Sequence, residues 1–283
     1  MTNSFTQNRS SARLNTALIG LGLAFASLPP AGATERLFTF TYEPETMVAG
    51  ATEVEQWVTL GVGRASQSGQ GNYNRWDFRT ELEHGITDTW QAALYLNYSH
   101  ESFFDATALD PNMSQFSFKG VSLENIVNIV NPANHAVGVS LYLEPRYSGE
   151  EAEIETKIIL GQRHGDWKWA LNLTHAVEWE DNLHALEGEF GASFGIARTF
   201  GKKWSVGVEA LSVTKVPDYK EFETTAIYLG PVVSYRSEKW WATMTVMPQV
   251  FGRNWDGVND GAHNLDLVHN ERVNIRLLIG FDL

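Results

Sequence analysis

From residue 34 onward, apolar and polar side chains alternate with a period of two in segment after segment. This is the pattern of a strand with one face in an apolar medium and the other in a polar one. In residues 74–86, Trp76, Phe78, Thr80 and Leu82 fall on one face, and Arg75, Asp77, Arg79, Glu81 and Glu83 on the other. In 136–148, Val137, Val139, Leu141, Leu143 and Tyr147 oppose Ser140, Tyr142, Glu144 and Arg146. In 167–180, Trp167, Trp169, Leu171, Leu173, Val177 and Trp179 oppose Lys168, Asn172, Thr174 and Glu178. No stretch keeps apolar residues at helical spacing for long. The alternation predicts twelve strands, over 53–65, 74–86, 90–103, 115–126, 136–148, 153–164, 167–180, 187–199, 204–216, 224–237, 239–252 and 272–283.

Many of these segments exceed the usual strand of about 5–6 residues and match the roughly 9–11 that cross a bilayer at a tilt. Their connections alternate in length. Short turns, such as Thr87-Asp88-Thr89, Gly165-Asp166, Gly201-Lys202-Lys203 and Ser237-Glu238, take turns with longer loops, such as 104–114, 181–186, 217–223 and 253–271. A tryptophan follows four of the short turns at once: Trp90, Trp167, Trp204 and Trp240. Aromatics favour strands in general, but a common position points to a girdle at headgroup level, where a ring with one wet N–H is at home. Tyr98, Tyr147 and Trp179 lie nearer the long-loop ends and supply candidates for a second girdle. The predicted fold is all-β, an antiparallel transmembrane β-barrel of about 12 strands with short periplasmic turns and longer extracellular loops.

Composition fits that reading. A mean hydropathy of −0.23 excludes a helical membrane protein, yet aromatic residues make up 12% of the chain. A barrel reconciles the two, because it wears apolar residues outside and keeps polar ones in the lumen. Residues 1–33 carry Arg9 and Arg13 and no acid, then an apolar run from Ala17 to Leu28 and a small-residue stretch, Ala31-Gly32-Ala33. They are expected to be a cleaved signal peptide, the run being too short for a spanning helix. The expected domains are this leader, an N-terminal segment 34–52 (a lumen plug, an extra strand or a periplasmic piece), and the barrel 53–283. Removing two Arg and no acid changes the net charge from −13 to −15. That sign argues against nucleic acid, and the absence of Cys excludes disulfides and thiolate metal sites.

If the polar faces line a lumen, its acids are Glu55, Asp77, Glu81, Glu83, Glu101, Glu144, Glu155, Glu178, Glu189 and Glu209. Its bases are Arg75, Arg79, Arg146, Lys157, Arg163, Lys168, Arg236, Arg272 and Arg276, with Tyr142 on the same face. A set so nearly balanced points to ion pairs packing a narrow interior rather than to a pore selective for one sign. The excess acid falls on loops and strand ends. Asp256, Asp260 and Gly261 in the last loop miss the EF-hand frame, which would need ligands at Val258 and Leu267, and His263 and His269 lack metal-site spacing. No metal site or cofactor is expected. No hydrolase motif is present; a lipid-facing His175 with Ser212 leaves a barrel-type lipid hydrolase as the enzymatic alternative to a non-enzyme.

Several short motifs carry a resemblance: Tyr42-Glu43-Pro44-Glu45-Thr46, Glu53-Val54-Glu55-Gln56-Trp57, Tyr73-Asn74-Arg75-Trp76-Asp77, Glu81-Leu82-Glu83-His84-Gly85 and Leu141-Tyr142-Leu143-Glu144-Pro145. The chain resembles a proteobacterial outer-membrane barrel family, a domain of unknown function, related to outer-membrane proteins assigned to phenol-degradation meta-pathways. The resemblance implies a barrel with a transport role and carries over no catalytic residue. The C-terminus is similar to an outer-membrane assembly signal, with Phe281 near its end and Leu283 where Phe is common. The expected function is an outer-membrane channel or binding barrel for small solutes in a Gram-negative bacterium. Its expected partners are outer-membrane lipid and lipopolysaccharide, and the assembly machinery through the last strand. The alternatives are a structural or adhesive surface barrel without transport, and a soluble carbohydrate-binding β-protein.

Overall fold

A computed structural model describes residues 36–66, 69–257 and 263–283. The leader 1–33 lies outside the described residues, as do Val258, Asp260 and Gly261 of the last loop. Twelve strands form among the described residues: β1 Thr52–Val62, β2 Gly71–Thr87, β3 Trp90–Phe104, β4 Asn112–Val130, β5 Gly138–Tyr147 and β6 Ala152–His164. They continue as β7 Trp167–Glu180, β8 Ala185–Phe200, β9 Trp204–Pro217, β10 Thr224–Arg236, β11 Trp240–Asn254 and β12 Val273–Asp282. Each pairs antiparallel with its sequence neighbour, and β1 pairs with β12, so the sheet closes. Closure leaves no strand edge unpaired, which is what a bilayer demands of a sheet.

The faces segregate as the alternation predicts. Leu82, Leu94, Leu123, Leu143, Leu173, Val208, Leu229 and Phe281 are exposed on the outer wall. Glu55, Glu81, Ser140, Asn172, Glu209, Thr243 and Thr245 are buried inside it. This inversion of the soluble-protein rule gives an apolar exterior too large to leave in water. Trp90, Trp167, Trp204 and Trp240 each open a strand at the short-turn end and are 39–51% exposed. Tyr235 ties two of them together, its ring centroid 4.7 Å from Trp204 and 5.1 Å from Trp240. At the other end, Tyr147 is exposed and Tyr98 stacks on Phe116 at 5.8 Å.

The connections are less unequal than expected. On the long-loop side, the links after β5 and β7 are only 148–151 and 181–184; the link 131–137 on the opposite side is longer than either. The tight Gly165-Asp166 turn needs its glycine, which sits at a φ of 57°.

One irregularity changes which side chains face inward. Tyr98 pairs with Phe118, while Asn97 pairs with Gly120, so Lys119 is an extra residue in β4. Such a bulge shifts the side-chain parity by one. Phe116 and Phe118 point outward before it, and Val121 and Leu123 after it. A strict period of two from Phe116 would put Glu124 in lipid; the bulge puts it inside, 1% exposed.

Candidate functional site

The interior is filled by the chain's own N-terminal segment. Residues 36–47 run inside the barrel, with Leu37, Phe38, Thr39, Thr41, Tyr42, Glu43 and Met47 all buried, and the chain emerges at the exposed Val48. Their backbone polar groups are met by the wall. The Glu209 carboxylate accepts from three successive amides, Thr39 N (3.1 Å), Phe40 N (2.6 Å) and Thr41 N (2.7 Å), and from the hydroxyls of Thr39 and Thr245. Consecutive N–H groups aimed at one anion form a nest. Asn172 accepts from Tyr42 N at 2.7 Å and donates back to its carbonyl at 2.9 Å. Asn128 and Ser140 donate to the Pro44 carbonyl at 2.8 and 2.6 Å. The Gln91 side chain accepts from Met47 N at 2.8 Å. Ion pairs from Lys168 to Glu45 (3.1 Å) and Glu43 (3.7 Å) add to these. Gly195 makes room for the segment: a Cβ there would lie 2.5–2.7 Å from the Phe38 ring.

Beside this plug the cations stack on aromatic rings. Arg36 lies 4.0 Å from the centroid of Tyr42 and 4.5 Å from that of Trp57; Arg79 lies 4.1 Å from Tyr95; Arg276 lies 3.8 Å from Phe40; and Lys157 lies 3.9 Å from Tyr142. Desolvated contacts of this kind are worth about 2 kcal/mol or more. Arg79 on β2 reaches across the interior to Glu144 on β5, which also accepts from the Tyr142 hydroxyl. Arg146 donates to Glu153 at 2.7 Å, Lys157 pairs with Glu155, Arg75 donates to Asp77 at 2.9 Å, and Arg236 sits 3.9 Å from Asp282. Arg276 donates to Thr59 at 2.8 Å and to the plug carbonyl of Thr39 at 3.3 Å. Glu178 lies on the inner face of β7 at the long-loop end, directly opposite Glu187.

Toward the long-loop end the interior opens into a cavity of about 360 Å³, walled by Phe40, Trp57, Arg75, Arg79, Lys157, Glu189, Lys215, Tyr228 and Arg276, among others. The last loop folds over its mouth, with Asp266, Leu267, Asn270 and Glu271 buried. Glu271 accepts from Arg64 at 2.8 Å and lies 3.7 Å from Arg75. Asp266 accepts from Thr224 and pairs with His269 at 3.2 Å. Burial pushes the Asp266 carboxyl up, but the hydrogen bonds from His269 and Thr224 outweigh it and hold it below the usual range. The hydrogen bond to Asp266 raises His269 above the ordinary imidazole value despite partial burial. The His269–Asp266 pair is thus an internal clasp of the loop.

The match to a family model extends over residues 30–154 and 161–283, and the family is described as one of unknown function, DUF6662. The chain belongs to this family. No curated protein matches it in sequence. In fold, the DUF6662 chain is similar to the COG4313 outer membrane channel from Pseudomonas putida F1, with a TM-score of 0.57 at 10% identity over 87% of this chain and 100% of that one. A NanC porin structure aligns at a TM-score of 0.48 and 13% identity, over 82% of this chain and all of that one. The first likeness shows the outer-membrane barrel fold.

In the DUF6662 barrel, the near balance of charge read along the strands does not describe the interior. Glu53 and Glu124 are also buried inside. Glu153 faces inward to Arg146, and Glu187 to Lys215 at 2.5 Å. These residues sit at strand ends or beyond a bulge, where parity is hardest to read. The plug contributes Arg36 and Glu43. The triplet Arg79, Glu81 and Glu83 does not pair within itself, since Arg79 belongs to Glu144. His175 shares a hydrogen bond with the Tyr219 hydroxyl at 2.9 Å and packs on Phe190 at 4.9 Å. Ser212 lies between Leu211 and Val213, which line the cavity, and so faces outward. Among the described residues no hydrogen bond joins His175 to a serine. In the plug, apolar Phe38 and Tyr42 alternate with polar Thr39 and Thr41, and all four are buried, as an interior segment requires and a lipid-facing strand would not show.

Proposed function

We propose that the protein is a gated outer-membrane barrel that binds a small polar solute in the 360 Å³ cavity and passes it only when the plug moves aside. The observation that carries this reading is the attachment of residues 36–47, ahead of the point where Gly50 and Ala51 pair by backbone with Gly85. The plug is held by side-chain acceptors and donors on the wall rather than by strand pairing, with Glu209 at its centre. Such an attachment can be released without unzipping the barrel. The walls of the cavity offer charges of both signs within reach of one another, so a zwitterionic or hydroxylated solute fits better than an ion of one sign. In this reading residues 1–33 are a cleaved leader, and the apolar outer band contacts lipid and lipopolysaccharide. The assembly machinery engages β12, and the barrel acts as no enzyme.

Planar-bilayer recording tests the proposal. The native protein is expected to open rarely, and Glu209→Ala to give frequent, larger steps that residues of the cavity modulate. Silence from both proteins, with correct folding shown by heat-modifiable migration, would overturn it. That result would favour a structural surface barrel, a reading supported by the filled interior itself.

A further inference from the structure

We propose that Glu81, Glu83 and Glu124 form a binding site for a hard divalent cation of the calcium type, where the wall meets the plug. The register of β1 and β2 sets Glu53 directly opposite Glu83 and Glu55 directly opposite Glu81. Like charges at directly opposed positions repel, and here both pairs face the interior. The β4 bulge brings in a further carboxylate, Glu124. Exposures of these five side chains run from 0 to 5%.

Nearby cations do not match them. Arg36 lies 3.9 Å from Glu55, and Arg79 is committed to Glu144. Neutral donors serve some of the oxygens: Trp241 to Glu53, Trp57 to Glu55 at 2.7 Å, Gln91 to Glu83, and the Tyr42 and Tyr95 hydroxyls to Glu124 at 3.0 and 2.7 Å. The Oε2 atom of Glu81 has no hydrogen-bond partner, although the residue is 2% exposed. A proton shared with the Glu55 carboxylate directly opposite would serve that one atom, but it would leave the neighbouring Glu83 and Glu124 uncompensated. A metal ion would serve all three carboxylates at once.

The geometry suits an ion. Glu81, Glu83 and Glu124 each offer a carboxylate oxygen, and these oxygens lie within 4.8 Å of one another. Oxygens at the ordinary calcium distance of about 2.3–2.6 Å stand at most about 5 Å apart across one coordination sphere. Beside them, Arg36, Tyr42, Glu43, Glu83, Gln91 and Glu124 line a cavity of about 20 Å³, room for roughly one water or one bare cation; an ion there would have to outcompete the Arg36 guanidinium for the carboxylates. A second acidic triad, Glu178, Glu180 and Glu187, is partly exposed at the other end of the barrel and has no buried orphan atom among its members. The inner site also touches the plug, because the Glu124 oxygen that accepts from Tyr95 accepts from Tyr42 as well.

Terbium binding to the full-length barrel in detergent tests the site, with emission sensitised through Tyr95 and calcium as competitor. The wild type is expected to give sensitised emission that calcium displaces. Glu81→Gln with Glu83→Gln is expected to weaken binding about tenfold or more, and Glu178→Gln with Glu187→Gln to leave it unchanged. Heat-modifiable migration reports whether each variant folds; where the inner double variant does not, Glu124→Gln carries the test. Absence of calcium-competed binding to the wild type would overturn the site, and so would binding that survives the inner variants. Because the readout is equilibrium binding, its failure is separate from failure of the gating proposal.

Discussion

The two halves of the interior handle buried charge in opposite ways. At the long-loop end, Arg75 meets Asp77 and Glu271, Lys215 meets Glu187, and Arg146 meets Glu153, with open volume between them. At the short-turn end, Glu53, Glu55, Glu81, Glu83 and Glu124 crowd against the plug with Arg36 as the cation at hand. Paired charges tolerate a wet cavity, since water supplies what the partner does not. Crowded carboxylates in a packed region need a counter-charge brought from elsewhere. The barrel is thus polarised along its axis, a solvated and ion-paired mouth above a plugged and acidic base.

The largest effect is expected from the plug's anchor, which joins the two halves. Glu209→Ala leaves three plug amides without their acceptor, at a cost of about 1–3 kcal/mol for each group that stays buried. Residues 36–47, mostly buried in the native barrel, are expected to become accessible to protease in the folded barrel; continued protection would contradict the anchoring role. Next comes the bond across the interior. Arg79→Met strands Glu144 and is expected to lower stability by about 3–5 kcal/mol, with most of the loss recovered in Arg79→Met combined with Glu144→Gln. Urea unfolding followed by tryptophan fluorescence measures both, and full additivity would refute the coupling. Gly195→Ala sets a methyl against the Phe38 ring and is expected to cost about 1–3 kcal/mol, with the Phe38→Ala background removing the penalty.

The smallest effect belongs to the mouth. With His269 raised and Asp266 lowered, the clasp loses strength on both sides. The His269 contribution is complete below its unfolded value near pH ~6.5 and lost as pH rises through the higher folded value. The Asp266 contribution is complete above its unfolded value near pH ~3.9 and lost as pH falls through the lower folded one. Amide exchange in residues 263–272 is therefore expected to be slowest between about pH 4 and 6.5, after correction for intrinsic rates. Asp266→Asn is expected to flatten the profile, and a profile unchanged by that substitution would remove the clasp.

Much of this architecture was legible along the chain. The predicted and observed bounds of the strand at 167–180 coincide, Trp90 and Trp204 also begin strands as read, and Trp240 begins one a residue later than read. Period-two chemistry is local, and a lipid wall around a polar lumen repeats the contrast at every second residue. The charge arrangement was not legible in the same way. Arg79 reads as a neighbour of Glu81 and Glu83, yet it finds Glu144 across the interior. Glu124 reads as outward-facing until Lys119 is recognised as a bulge, and a bulge leaves little mark in composition.

The strand number, the inner and outer faces and the tryptophans at the short-turn ends were encoded locally, because each depends on residues within a few positions of one another. That 36–47 fills the lumen, which carboxylates lie together and which cations answer them are set at long range instead. Those outcomes depend on closing the sheet. Closure sets β2 across from β5 and brings Glu209 to the backbone of Thr39, Phe40 and Thr41, and no local pattern encodes where a ring of twelve strands will bring its two sides together.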